Sequence, residues 1–315
     1  MVNNKDMPKK IIMLNSSALR KSACKRRLNY VLEGYSNKLV PNDIVFGSCF
    51  HDFVAEYRVN GQNVTAATQK GWSYRDGVKN LYTKYRKEFL DDFNYFRTVC
   101  MMWAMEDSKW QTLWIENMPL VEIPWAVPYW SGEHIEVILC GTIDDVCMSR
   151  ENPEVLAVRD YKTTSAYKVE EYFNKYRMSV QLMYYYVGLT EACKLKPDSQ
   201  LAKLWLNAPA KGAFIEGVFI DKDPSKVKYQ TSDFFTFSDD KIAEFHMQLG
   251  ELCQRLDKPE GYEFPREGLI NAACESDGYG RACEFFEACA AKTRENHDAY
   301  MRSAFVKEKY DPLSI

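Results

Sequence analysis

The sequence predicts a mixed α/β fold: a central mixed sheet flanked by helices, with an N-terminal helical region and a C-terminal cysteine-rich tail. Two observations carry this expectation. From residue 120 to residue 162 the texture shifts from helical periodicity to strands enriched in β-branched and aromatic residues. The order then reads as helix, three strands, helix and two strands, which builds layers of helix on sheet. With 315 residues the chain is long enough to bury a sizeable core.

Taken in order, residues 15–35 open with the cap residues Asn15, Ser16 and Ser17. Leu19, Cys24, Leu28, Val31 and Leu32 follow at roughly helical spacing, and Gly34 suits a C-terminal stop. Residues 47–59 and 74–116 continue the helical pattern, so the N-terminal third reads as α. Residues 120–130, 134–147 and 155–162 read as strands, and SRENPE at 149–154 holds the turn residues to join the last two. An amphipathic helix is expected over 169–187, two strands over 202–207 and 213–220, and a helix over 239–256 before a loop-rich tail. No linker composition divides the chain. Segments 1–118, with Cys24 and His51, 119–235, the core, and 236–315, the last helix and tail, are expected to form one compact unit.

Lys and Arg number 41 against 44 Asp and Glu, a net charge of −3, so no global basic field advertises a polyanionic partner, although a local patch can still serve. No apolar run is long enough to cross a bilayer, and the four apolar residues Ile11–Leu14 are too few for a signal peptide. A cytoplasmic, reducing location is expected. There the ten cysteines point to metal binding or catalysis more than to disulfides. Cys49, Cys100, Cys140, Cys147 and Cys193 lie in helix or strand patterns and read as core.

One stretch, VLAVRDYKTT at 155–164, begins as a buried strand and ends in charge. Side chains two apart on a strand share a face, so Asp160 and Lys162 point the same way. Such a pair is either a solvated strand end or half of a site. Asp144, in Gly141-Thr142-Ile143-Asp144 on the preceding strand, meets Asp160 if the two strands pair as a hairpin. Two carboxylates and a lysine suit a hard divalent cation, Mg²⁺ or Mn²⁺. Such a cation lowers the pKa of a bound water and offsets phosphate charge, while Lys162 orients or helps deprotonate that water. Alternation sends Asp145 to the opposite face, as a solvated or hydrogen-bonded bystander.

These residues resemble the PD-(D/E)XK nuclease superfamily in its RecB-like exonuclease branch. The shared pattern is G-x-x-D, a strand ending in D-x-K, then a helix with Q-x-x-x-Y, here Gln181 to Tyr185. Gly47-Ser48-Cys49-Phe50-His51 matches the family's G-x-x-x-H context on an N-terminal helix. Each motif alone is weak, and their order and β-β-α placement together are much stronger. The resemblance implies a restriction-endonuclease-like fold and a metal-dependent DNA exonuclease. His51, Asp144, Asp160 and the Tyr161 backbone carbonyl would ligate the metal and Lys162 would be catalytic. Gln181 and Tyr185 would contact DNA or support the site. It also implies a preference for single-stranded DNA; chain size and the lack of helicase motifs suggest a stand-alone nuclease, phage-encoded or working with recombination or CRISPR adaptation proteins.

The tail carries Cys274, Cys283 and Cys289, one thiolate short of a closed metal site, and Cys24 is the upstream candidate for the fourth. The iron–sulfur members of the same branch, AddB-type and CRISPR-associated exonucleases, hold a [4Fe–4S] cluster on one upstream and three downstream cysteines. The resemblance therefore implies a structural cluster that staples the N-terminal helix to the tail. Eight residues separate Cys274 from Cys283 where the family has two, which leaves Cys253 as an alternative ligand. Zinc is the rival occupant, since four thiolates suit either. Lys21, Lys25, Arg26 and Arg27 form either a phosphate-binding stripe or a solvated helix face. The function so implied competes with two others: a catalytically silent DNA-binding or assembly subunit, and a cysteine-metal structural protein in which D-x-K is incidental.

Overall fold

The computed structural model describes residues 9–78, 87–106, 108–177, 179–265, 267, 274 and 283–308. Strand β1 (Lys10–Leu14) opens the chain, followed by helices α1 (Ser16–Leu19) and α2 (Lys25–Leu32), strand β2 (Tyr35–Asn37), and helices α3 (Asn42–Val59), α4 (Val64–Val78) and α5 (Phe93–Met105). Short strands β3 (Trp110–Thr112), β4 (Trp114–Ile115) and β5 (Met118–Pro119) lead to the long β6 (Val121–Ser131), β7 (Ile135–Ser149) and β8 (Val155–Thr164). Helices α6 (Val169–Asn174), α7 (Val180–Leu195) and α8 (Gln200–Asn207) connect β8 to β9 (Ala210–Phe219) and β10 (Lys228–Thr231). The chain then runs through α9 (Asp239–Leu256), α10 (Phe286–Ala290), α11 (Arg294–Ala304) and β11 (Phe305–Lys307).

The central mixed sheet flanked by helices is present, and the three long strands fall where the β texture places them. Several elements differ from the sequence expectation. Residues 202–207 are helix, not strand: the Ser199 side chain caps the Ala202 N–H, and Ala202 and Trp205, three apart, bury one face. The apolar run Leu204-Trp205-Leu206 is too short for periodicity alone to tell strand from helix. The helix expected over 169–187 is two, α6 ending at Asn174 and α7 beginning at Val180. The first helix is likewise two pieces, with Cys24 at the N-cap of the second. The helical reading of 74–116 fails at 110–116, where β3 and β4 form, and its residues 79–86 and 107 lie outside the described residues. The N-terminal third also contains β1 and β2.

By contact the chain forms two compact units. One comprises residues 39–125 and 142–238. In it β8 pairs antiparallel with the second half of β7, Asp145 opposite Arg159, and parallel with β9, Val155 opposite Ala210 through Thr164 opposite Phe219. Strand β10 runs antiparallel to β9. The parallel β8–β9 pair needs a crossover, which α6, α7 and α8 supply. Helix α3 packs on β8, and α7 on β8 and β9. Phe46, Phe50, Phe53, Phe96 and Trp103 from α3 and α5 bury themselves with Tyr161 of β8 and Val218 of β9. Gly188 lets α7 approach Trp125, because a Cβ there would sit 2.2 Å from the indole ring.

The other unit comprises residues 1–38, 126–141 and 239–315. Strand β1 lies parallel to the first half of β7, Lys10 opposite Ile135 through Leu14 opposite Leu139. The Asp257 carboxylate accepts the N–H groups of Glu133 (2.9 Å), His134 (2.7 Å) and Ile135 (3.1 Å) and so fixes where β7 begins. Phe285, Ala288, Met301 and Phe305 form a small core against Tyr30, Val31 and Tyr35, and β11 pairs antiparallel with β2. Gly34 ends α2 at φ +89°, against the Glu308 carbonyl, as the helix-stop reading expects. Among the described residues no helix is long and apolar enough to cross a membrane.

Candidate active site

The β7–β8 register decides the first contact. Asp145 opposite Arg159 is the last pair of the ladder, and the same register carried one residue on sets Asp144 beside Asp160. Their side chains share a face, and Lys162, two residues on, shares it too. Lys162 Nζ lies 2.5 Å from Asp160 Oδ2 and donates to the Tyr161 carbonyl at 3.3 Å. The Tyr161 N–H donates to Asp144 Oδ2 at 2.9 Å. The charged end of the VLAVRDYKTT strand is therefore buried, with Asp160 0% exposed, and is not a solvated strand end.

Helices bring the remaining groups. Gln181 of α7 donates from Nε2 to Asp160 Oδ1 at 2.8 Å and to the Tyr185 hydroxyl at 3.1 Å, one turn away on the same helix face. From α3, His51 places Nδ1 3.4 Å from Asp144 Oδ2. Glu122 of β6 adds a carboxylate oxygen 3.9 Å from the same Nδ1. Residue types and spacing do not single out Glu122, because a lone Glu in a strand such as LVEIPW reads as an outward-facing residue. Only the Leu120 carbonyl, accepting the Val146 N–H at 2.9 Å, shows why it arrives: Glu122 lies two residues beyond Leu120 and Asp144 two before Val146.

The opposite face of the same strands carries a second charged network. Asp145 Oδ2 accepts from Arg159 Nε (3.0 Å), the Tyr161 hydroxyl (2.9 Å) and the Thr112 hydroxyl (3.0 Å). Arg159 Nη1 also donates to Glu216 Oε2 at 2.9 Å, and Trp103 Nε1 to Glu216 Oε1 at 2.7 Å. Asp145 is thus a buried, hydrogen-bonded residue that supports the site without entering it.

Electrostatics separate the two faces. Burial pushes both Asp144 and Asp160 up to about 6, with the Lys162 ammonium acting against the rise in each. Burial and then Lys162 lower His51 to about 4, so its ring is neutral at physiological pH and its nitrogen lone pair is available. Burial alone would lower Lys162, but Asp160 and Asp144 outweigh it and hold the ammonium charged. His51, Glu122 and Asp144 present ligand atoms within 4.8 Å of one another. A neutral imidazole among carboxylates and a carbonyl is a donor set suited to a divalent cation.

A pH dependence follows. The ionised form of Asp144 is disfavoured in the fold, so the stability present below about pH 4 is lost as pH rises through about 6 and is absent above it. Asp144→Asn is expected to stabilise the metal-free protein at neutral pH by roughly 1 to 3 kcal/mol, and to add little at pH 4. Thermal unfolding of both proteins at the two pH values checks this, and equal midpoints at neutral pH contradict it.

The candidate cluster cysteines and the basic run lie in the other unit. Cys24 stands at the N-cap position of α2, without a side-chain capping bond, and is buried. The Cys283 N–H donates to the Cys274 carbonyl at 3.2 Å, so these two meet despite the long gap between them, whose residues 275–282 lie outside the described residues. Cys289 follows on α10, with its N–H on the Phe285 carbonyl. Cys253 is fully buried within α9, and burial raises its thiol to about 12. The four cations of the basic run face carboxylates: Lys21 and Arg27 pair with Glu284, Lys25 with Glu267, and Arg26 with Glu263 while donating to the Phe264 carbonyl.

Comparison with known proteins agrees with this geometry. No curated protein matches the chain. A family model does: the PD-(D/E)XK nuclease superfamily matches residues 17–290, most of the sequence and all of the site. Membership implies a metal-dependent nuclease with DNA as substrate, using a divalent cation such as Mg²⁺. The matched span, the motif order and the meeting of Asp144, Asp160 and Lys162 agree: the chain belongs to the PD-(D/E)XK nuclease superfamily.

Proposed function

We propose that the protein is an exonuclease that degrades single-stranded DNA from its ends, with a divalent cation held by His51, Asp144, Asp160 and the Tyr161 carbonyl. The observation that carries the nuclease reading is the buried Asp144–Asp160–Lys162 group, fixed from the neighbouring helix by Gln181. The end-directed, single-strand preference rests on the resemblance of the G-x-x-x-H, D-x-K and Q-x-x-x-Y set to RecB-like exonucleases. A bound cation would lower the pKa of water and offset phosphate charge. Lys162, held as an ammonium by the two aspartates, orients the attacking water and stabilises charge rather than taking its proton. Gln181 donates to Asp160 Oδ1 while the Lys162 ammonium faces Oδ2, which restrains the carboxylate from both sides. Water gives up a proton to solvent as its oxygen bonds to phosphorus, the opposite P–O bond breaks, and the departing oxygen takes a proton from solvent.

The same proposal includes a structural [4Fe–4S] cluster on Cys24, Cys274, Cys283 and Cys289, with zinc as the other metal such thiolates would take. Two features support it. Cys274 and Cys283 meet through their backbones, and Glu284, next to Cys283, binds Lys21 and Arg27 on either side of Cys24. Recombination or CRISPR adaptation proteins are the partners this function would serve.

End-labelled single- and double-stranded DNA, incubated with Mg²⁺ or Mn²⁺ and anaerobically purified protein, tests the activity and reads its polarity. Faster loss of label from single strands is expected. A brown protein that cuts neither substrate points instead to the silent DNA-binding subunit. Cys283→Ala is expected to remove the brown colour and to unfold or truncate the tail, because metal binding of this kind is folding energy. A colourless Cys283→Ala protein with wild-type melting and activity removes the cluster from the proposal.

A further inference from the structure

We propose that Glu122, supplied by β6 outside the two motif strands, is a ligand of the catalytic cation. This rests on the metal-dependent reading above. Ligands about 2.1 Å from an octahedral cation lie about 3 Å apart when adjacent and about 4 Å when opposite. His51 Nδ1 stands 3.4 Å from Asp144 Oδ2 and 3.9 Å from Glu122 Oε1, within that range and beyond a direct hydrogen bond for the second. Asp160 is placed differently. Its Oδ2 already faces the Lys162 ammonium at 2.5 Å and its Oδ1 the Gln181 amide at 2.8 Å. Among the described residues no Lys or Arg pairs with Glu122, whose carboxylate faces the His51 ring and Asp144. Glu122 and Asp144 thus face the His51 ring, while Asp160 faces the Lys162 ammonium.

The backbone agrees with a position set by function. Glu122 has φ +46°, a left-handed value that a non-glycine residue adopts at some cost within a strand. Leu120 is tied to Val146 just before it, and Pro124 holds Ile123 extended just after it, so the kink falls on Glu122 and turns its side chain across toward Asp144. His51, Glu122 and Asp144 thereby form a donor set that does not need Asp160 to take up a cation.

Mn²⁺ titration of the full chain at neutral pH, following free Mn²⁺ by electron paramagnetic resonance, tests this in wild type, Glu122→Gln, Glu122→Asp and Asp160→Asn. Glu122→Gln is expected to weaken Mn²⁺ binding at least about tenfold, and by more than Asp160→Asn does. It should also abolish most of the rise in melting temperature that Mn²⁺ gives wild type. Glu122→Asp keeps the charge one methylene further back and should bind with intermediate affinity. Melting without metal reports that each variant is folded. Wild-type Mn²⁺ affinity in both Glu122 variants overturns the inference and leaves the nuclease reading standing. A wild type that neither binds Mn²⁺ nor cleaves DNA overturns both.

Discussion

Lys162→Ala is expected to lower the rate of metal-dependent DNA hydrolysis by about 10²- to 10⁴-fold, the usual contribution of one positioned catalytic group. The lysine is the single ammonium beside Asp160 among the described residues, and the two aspartates keep it charged. Its loss removes the donor that orients water and faces the developing phosphate charge. It also leaves Asp160 buried without its counter-charge, so both aspartates should take up protons more readily and Mn²⁺ should be needed at higher pH. The change should fall on kcat, because His51, Glu122 and Asp144 remain to hold a cation. Lys162→Arg keeps the charge but not the compact ammonium, and is expected to restore little. Single-turnover cleavage at saturating Mn²⁺ separates these effects. Wild-type rates in Lys162→Ala would remove the lysine from the reaction.

Asp145→Ala, one residue from Asp144, is expected to act on stability, costing about 3–5 kcal/mol. Arg159 is 0% exposed and depends on Asp145 for two of its guanidinium contacts, with Glu216 as the remaining carboxylate. Removing Asp145 strands a buried charge and frees the hydroxyls of Thr112 and Tyr161. A fall in melting temperature of about 10 °C is expected. The triple change Asp145→Ala, Arg159→Met, Glu216→Gln should recover much of it, because no charge is then left buried without its partner. A loss below about 1 kcal/mol in the single variant would show the network to be dispensable. Neighbouring aspartates with opposite outcomes, one stabilising when neutralised and one unfolding, would display the two faces of the β7 strand directly.

How legible the site was depends on the kind of spacing involved. Asp160 and Lys162 on one face, Asp145 on the other, and Gln181 beside Tyr185 all follow from strand and helix repeats within one element. Those relations are present in the structure as read. The long strands carrying Asp144 and Asp160 were legible because β-branched and aromatic residues fill them. Residues 202–207 were misread because three apolar residues in a row fit either period. The break between α6 and α7 was missed because the apolar pattern runs on through it.

Sequence order alone determined the family, the motif residues and the alternation that assigns each aspartate to a face, since these depend on repeats that any regular strand or helix obeys. Tertiary structure alone decided the rest. Glu122 reaches His51 because β6 is tied to β7 at Leu120 and kinks two residues later. Arg27 and its neighbours serve ion pairs with Glu284, Glu267 and Glu263, more than 230 positions away in the chain. Contacts between segments so distant are set by packing and register, which no local periodicity encodes.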